Sequence, residues 1–193
     1  MKRLLFLISI FSLALTSCED KRLQTFVANV PVYLSYETLR SSFEVSTAAL
    51  LEKPGKIYFY GSHMFINEYQ KGIHVVDISD PSQPELKAFI EVPGNVDMAI
   101  RNNLLYADSY VDLLVIDISD PEQAVLSHRI EDLFEYIIPP YDYGFPLDEI
   151  DQDKGVITGY ELKKITREVY NDPHPWPVFW GYRMESSFMD AGT

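Results

Sequence analysis

From Pro54 onward, short β-branched and aromatic runs alternate with small polar breakers. Lys56 to Tyr60, Met64 to Tyr69, Ile73 to Ile78 and Leu86 to Val92 are separated by Gly61-Ser62-His63, Gln70-Lys71-Gly72 and Ser79-Asp80-Pro81. Four runs of strand length with Gly, Pro and Asp turns predict an antiparallel β-unit. At Pro93-Gly94 the series restarts, with strands predicted at Val96 to Ile100, Leu104 to Ser109, Leu113 to Ile118 and Val125 to Ile130, and turns at Arg101-Asn102-Asn103 and near Val111-Asp112.

A shift of forty residues lays 64–91 on 104–131 without a gap. Val75, Asp77, Ile78, Ser79, Asp80, Pro81, Gln83, Leu86, Ile90 and Glu91 are identical to their shifted partners, and pairs such as Met64 with Leu104 and Val76 with Ile116 keep their apolar character. A forty-residue unit of four strands is the size of a β-propeller blade, although a β-solenoid or a stacked sandwich has similar spacing. The consecutive apolar residues Val75-Val76 and Leu113-Leu114-Val115-Ile116 predict a strand buried on both faces, the place of an inner propeller strand between neighbouring blades. The predicted fold class is all-β: two to three antiparallel four-stranded blades of an incomplete β-propeller.

Val75-Val76-Asp77 and Leu114-Val115-Ile116-Asp117, each followed by Ile-Ser-Asp-Pro, resemble the LVIVD repeat of bacterial cell-surface propellers. The words Val30-Pro31-Val32-Tyr33-Leu34-Ser35-Tyr36-Glu37 and Pro54-Gly55-Lys56-Ile57-Tyr58 resemble the Bacteroidota lipoproteins that carry this repeat. The resemblance implies a fold and a cell-envelope location, and it brings no catalytic residue.

Outside the repeats the pattern is weaker. Residues 18–52 read as a tether with short elements: mixed sequence to Val30, an extended piece from Pro31 to Tyr36, one helical turn at Glu37 to Ser42 and another extended piece at Phe43 to Val45. Blades are expected at 53–92 and 93–132, and a degraded or partial third blade with Pro- and aromatic-rich loops at 133–193. Within it Phe134 to Ile138 is a candidate strand, and Lys154-Gly155-Val156-Ile157 echoes Lys71-Gly72-Ile73-His74. At 158–170, Thr158 and Glu161 have capping-box spacing, yet Val, Ile, Thr and Tyr dominate and favour a strand. Propellers close with four to eight blades, or about 160 residues at the least. Two clear repeats therefore read as the N-terminal part of a longer protein, with ring completion by oligomerisation or a smaller open β-stack as the alternatives.

At 193 residues, 47% of them hydrophobic, the chain can bury a core. Its formal charge of −13 speaks against nucleic acid as a partner, because phosphate binding needs a basic patch. An acidic surface also repels anionic lipid, so attachment to a membrane requires an anchor. Residues 1–17 supply the grammar of one: Lys2 and Arg3, then the apolar run Leu4 to Leu15, too short to span a bilayer but suited to a signal peptide. The run ends in Leu15-Thr16-Ser17-Cys18, which resembles the lipobox of bacterial lipoproteins and implies lipid attachment at Cys18, the sole cysteine. Two acyl chains suffice for stable anchoring. Glu19 and Asp20 then resemble surface-export signals, which implies the outer membrane or cell surface.

Candidate chemistry is sparse. Asp77, Asp80, Asp117 and Asp120 recur in both repeats and read as turn formers; calcium needs six to eight oxygens, more than this pattern gathers. The acidic loop Asp148-Glu149-Ile150-Asp151-Gln152-Asp153 lacks EF-hand spacing and reads as solvated. His63, His74, His128 and His174 have no metal-ligand spacing, and no nucleophile motif occurs. No catalytic residue, metal site or cofactor is assigned. The candidate binding residues are the aromatics of the Pro-rich segments, Tyr141, Tyr143, Phe145, Trp176 and Trp180, with Phe179 and Tyr182 beside them. Exposed aromatics serve as platforms for sugar rings or partner surfaces, and they also pack under long loops. The leading expectation is a lipid-anchored, non-enzymatic scaffold that binds an unidentified protein or glycan. The alternatives are a propeller glycan hydrolase, with Asp97 and Asp108 as nominal carboxylates, and a structural assembly subunit.

Overall fold

The computed structural model describes residues 21–47 and 50–170. They divide into two compact units, one of 31–141 and 150–160 and a smaller one of 21–30, 142–149 and 161–170.

The larger unit holds the repeats. β3 (Pro54–Tyr60), β4 (His63–Glu68), β5 (Gly72–Asp77) and β6 (Glu85–Glu91) form an antiparallel meander, and β2 (Glu44–Thr47) adds a fifth strand outside β6. β7 (Met98–Arg101), β8 (Leu104–Ser109), β9 (Asp112–Asp117) and β10 (Val125–Ile130) form the second meander. One apolar core joins the two sheets: Phe65, Ile73, Val75 and Ile90 of the first pack with Met98, Ile100, Leu105, Leu114 and Ile116 of the second. Polar contacts between the edge strands β3 and β7 fix their alignment. Lys56 Nζ lies 2.6 Å from Asp97 Oδ1, Tyr58 donates to the Ile100 carbonyl at 3.3 Å, and Tyr60 donates to Asn103 Oδ1 at 2.6 Å.

The two blades correspond closely, but not at a constant shift. Ile78 N–H bonds to the Ser62 carbonyl and Ile118 N–H to that of Asn103. His63 pairs with Asp77, and Leu104 with Asp117. The first two strands of each blade are thus related by forty-one residues, the last two by forty. The difference lies in one hairpin, a three-residue turn at Tyr69-Gln70-Lys71 against a two-residue turn at Tyr110-Val111. Beyond it even the irregularities match: the β5–β6 ladder skips Lys87 and the β9–β10 ladder skips Ser127, a β-bulge in the same place. The ungapped alignment is corrected accordingly, and its identities all lie at Val75 or later because only there is the shift of forty right.

β5 is buried on both faces, as expected of the Val75-Val76 run. β9 is not: Leu114 and Ile116 are buried, while Leu113 and Val115 on the opposite face are half-buried. Each of these strands lies between two others of its sheet rather than at an edge.

Before the sheets, α1 (Tyr36–Ser41) is a six-residue helix started by Ser35, whose hydroxyl accepts the Thr38 N–H at 3.1 Å. A helix this short has little stability of its own. It is held by burial of Leu39 and by Arg40, which reaches Asp112 at 3.2 Å. Arg129 Nη1 meets the same buried carboxylate at 3.2 Å, and the Asp132 N–H donates to it at 3.0 Å.

Two expectations outside the repeats change. The predicted tether contains a fourteen-residue strand, β1 (Lys21–Leu34), and the segment expected to open a third blade at Phe134 to Ile138 has no strand. Pro139-Pro140 supplies no N–H for a ladder. β11 (Val156–Tyr170) is a strand, as its β-branched content predicts, and it pairs with β1 in a two-stranded sheet rather than in a third blade. In the smaller unit the buried Asn29 organises the loop 142–149: its Nδ2 donates to the carbonyls of Asp142 and Phe145 at 2.9 Å, and its carbonyl accepts the Asp148 N–H at 2.9 Å. Arg167 clasps Asp148 at 2.8–3.0 Å, and Thr25 bonds Thr166 at 2.8 Å.

Candidate functional site

Three chain reversals, Tyr69-Gln70, Pro93-Gly94 and Tyr110-Val111, surround a cavity of about 240 Å³ in the larger unit. Tyr69, Tyr110 and Tyr136 supply aromatic surface, Ile137, Pro139, Pro140, Val156 and Ile157 supply apolar wall, and Gln70 and Asp108 bring polar groups. A concave apolar site with a few fixed polar groups is the usual form of a small-ligand pocket.

The walls are held by a buried polar network. Asn95 is fully buried; its Nδ2 donates to Asp108 Oδ1 at 2.8 Å and to the Asp97 carbonyl at 2.9 Å. Asn67 Nδ2 donates to Asn95 Oδ1 at 2.5 Å, and Gln70 N–H to the Asn95 carbonyl at 2.8 Å. Asp108 Oδ1 also accepts the N–H groups of Val96 and Asp97, each at 2.9 Å. One carboxylate oxygen therefore fixes the entry to β7 beside the cavity.

Two lining residues occupy left-handed backbone, Gln70 at φ 60° and Tyr110 at φ 55°, which is uncommon for side chains of this size. Such conformations persist only where the surroundings hold them, and they cluster at binding sites. The surroundings here are visible. Gly94, at φ 81°, leaves room for the Tyr110 ring directly against its backbone. Burial pushes the Tyr110 hydroxyl up in pKa, and the neighbouring Tyr69 adds to the shift. Tyr136 is pushed up to about 12, chiefly by burial, and donates to the Gly155 carbonyl at 2.9 Å. The Tyr110 and Tyr136 phenols are therefore neutral at physiological pH.

The residues singled out from sequence are not the ones that build this cavity. Tyr141 is half-buried in the same unit, edge-on to Tyr160 with ring centroids 5.6 Å apart. Tyr143 and Phe145 belong to the smaller unit, where Tyr143 is exposed and Phe145 lies in the loop bonded to Asn29. Cys18, Trp176 and Trp180 lie outside the described residues, as do His174, Phe179 and Tyr182. Sequence reasoning missed Tyr69 and Tyr110. They are equivalent under the forty-one-residue shift, each directly following the second strand of its blade, and the ungapped alignment set Tyr69 against Ser109 instead.

The acidic residues are engaged in architecture. Asp77 and Asp117 each accept the N–H two residues on, of Ser79 and Ser119, at 2.8 Å. Asp80 and Asp120 do the same for Ser82 and Glu122 at 2.9 and 3.2 Å. In the acidic loop, Asp148 is held by Arg167, and Asp151 accepts the Asp153 N–H at 3.1 Å. Among the described residues no group of three or more His, Cys, Asp or Glu is placed to hold a metal ion. Asp97 and Asp108, the nominal hydrolase pair, are adjacent: Asp97 is bound to Lys56, which holds its carboxyl below the usual range, and Asp108 is the loop clamp. His74 is fully buried, 3.3 Å from Glu68, whose oxygens also accept the N–H groups of Glu52 and Lys53 at 2.9 and 2.5 Å. That pair secures the entry to β3.

Residues 55–91 and 95–132 each match the family model of the LVIVD repeat. Neither the curated proteins nor the solved structures contain a match to the chain.

Proposed function

With two LVIVD repeats as its framework, this protein is, we propose, a lipid-anchored binding module of a Bacteroidota-type cell envelope that takes a sugar ring of a glycan in the Tyr69–Tyr110–Tyr136 cavity. The observation that carries the reading is the cavity itself, with repeat-equivalent tyrosines on adjoining hairpins and two of its lining residues in left-handed backbone. The tyrosine rings offer faces for the C–H surface of a sugar, while Gln70 and the second carboxylate oxygen of Asp108 offer partners for hydroxyls. At about 240 Å³ the space suits one ring rather than a long ligand. A chain of formal charge −13 favours a neutral glycan over an anionic one.

The anchor rests on Lys2, Arg3, the apolar run to Leu15 and the terminal Cys18. Binding without turnover is the expected activity, because the nearby carboxylates are committed to backbone and to Lys56. Glycan-array screening followed by titration of a hit tests the pocket. Tyr110→Ala is expected to abolish binding, and binding unchanged in that variant ends the proposal. Loss of radiolabelled lipid in Cys18→Ala tests the anchor separately.

A further inference from the structure

Among the described residues that line the cavity, Asp108 is the one charged group, and no Lys, Arg or His accompanies it. The first blade shows what stands at its position. Asp108 is equivalent to Asn67 under the forty-one-residue shift. Asn67 Oδ1 lies against Gly55 at the entry to β3, as Asp108 Oδ1 lies against Val96 and Asp97 at the entry to β7. The other end of the Asn67 amide reaches the segment that follows its blade, where Nδ2 donates to Asn95 Oδ1 and to the Asn95 carbonyl.

In the second blade that relationship is inverted. By the same repeat, Asp108 Oδ2 takes the place of Asn67 Nδ2, so an acceptor stands where the first blade has a donor. The segment that follows enters in the same register, Phe134 N–H bonding to the Val111 carbonyl as Gly94 N–H bonds to that of Gln70. Glu135 thereby falls in the place of Asn95. It is exposed, it is not part of the cavity wall, and a carboxylate has no proton to donate. The wall beside Asp108 is made instead by Tyr69, Tyr110 and Tyr136.

A carboxylate among aromatic rings, with no basic residue in the same wall, suits a protonated amine through charge-assisted hydrogen bonding and cation–π attraction. We infer that the ring held here is an amino sugar with its amine free, seated with the ammonium on Asp108 Oδ2. This rests on the sugar-binding reading of the cavity and narrows it from glycans that are not anionic to those that carry a basic amine.

The test is isothermal titration calorimetry on the full chain in mild detergent, at about pH 6, where an amine of this kind carries its proton. The probes are the glucosamine trimer, its N-acetylated form and cellotriose, one backbone with ammonium, acetamide or hydroxyl at each C2. The glucosamine trimer is expected to bind about tenfold tighter than cellotriose. Asp108→Asn is expected to remove that preference while cellotriose still binds, since the amide carbonyl can keep the clamp on β7 and the first blade carries asparagine at this place. The substitution removes one of 29 acidic residues, so diffuse attraction to an acidic chain would survive it. Gln70→Glu leaves the clamp untouched, adds a second carboxylate to the wall and is expected to raise the preference further. Equal binding of the glucosamine trimer and cellotriose overturns the inference and leaves the sugar site standing. A preference that persists in Asp108→Asn, or that Gln70→Glu does not raise, overturns it as well. So does a parent chain that binds none of the three probes, in which case a neutral hit on the glycan array still upholds the sugar site.

Discussion

The Tyr110 ring lies so close to Gly94 that a Cβ on the glycine would fall inside the ring's van der Waals envelope. Gly94 also sits at φ 81°, a conformation that side chains other than glycine rarely adopt. Gly94→Ala is therefore expected to cost roughly 1–3 kcal/mol, from backbone strain and overpacking together. Urea unfolding checks the cost, and tyrosine fluorescence checks displacement of the cavity wall.

Asp112 and Arg129 define the most stability-critical charge cluster. Asp112 is fully buried, and Arg129 nearly so, while Arg40 approaches from α1. Asp112→Ala leaves the Arg129 guanidinium buried without its counter-charge and is expected to destabilise by about 3–5 kcal/mol. Paired chemical-denaturation curves for Asp112→Ala, Arg40→Ala and the double variant give the coupling.

Acid should weaken the fold through the same carboxylate. Burial pushes the Asp112 carboxyl up, but donors from Arg40, Asp132 N–H and Arg129, with the Arg40 charge, outweigh it and hold it below the usual range. Burial likewise acts against Glu68, and the N–H groups of Glu52 and Lys53 with His74 overcome it. A carboxylate with a depressed folded pKa stabilises fully above its unfolded value, and that stability is lost as pH falls through the folded one. Tm is expected to fall below about pH 4, with a shallower fall in Asp112→Asn.

Glu68 should report locally. Glu68→Ala removes the acceptor of two amides at the entry to β3, and amide hydrogen exchange at Glu52 and Lys53 is expected to accelerate well above that of β5. Unchanged protection there would show that other bonds close this loop.

Calcium and chelator are expected to leave Tm unchanged, because Asp77, Asp80, Asp117 and Asp120 already accept backbone N–H groups within their own turns. Differential scanning calorimetry with added calcium or EDTA is the measurement. A rise in Tm with calcium would reassign these turns.

The repeats were legible because their strands are short, locally punctuated and sequential. Leu104 to Ser109 and Val125 to Ile130 fall where the turn residues place them, since a meander needs no information beyond neighbouring hairpins. β1 was not legible: its partner β11 lies more than a hundred residues away, and Lys21 to Val30 has no internal periodicity to announce a ladder. The tyrosine-lined cavity was not legible for a related reason. Composition pointed to Tyr141, Tyr143 and Phe145, whereas the cavity takes Tyr69 and Tyr110 from hairpin turns whose equivalence one missing residue conceals.

The sequence by itself determined the blade. The forty-residue recurrence, the Asp-x-x-Asp-Pro turns and the apolar strands specify a four-stranded meander and the roles of its acids, because each depends on interactions within a few residues. Tertiary structure alone decided which faces are buried. β5 and β9 share the Val/Ile-rich run ending in Asp-Ile-Ser-Asp-Pro, yet only β5 is covered on both sides. Burial depends on what packs against a strand, and no pattern within the strand records that.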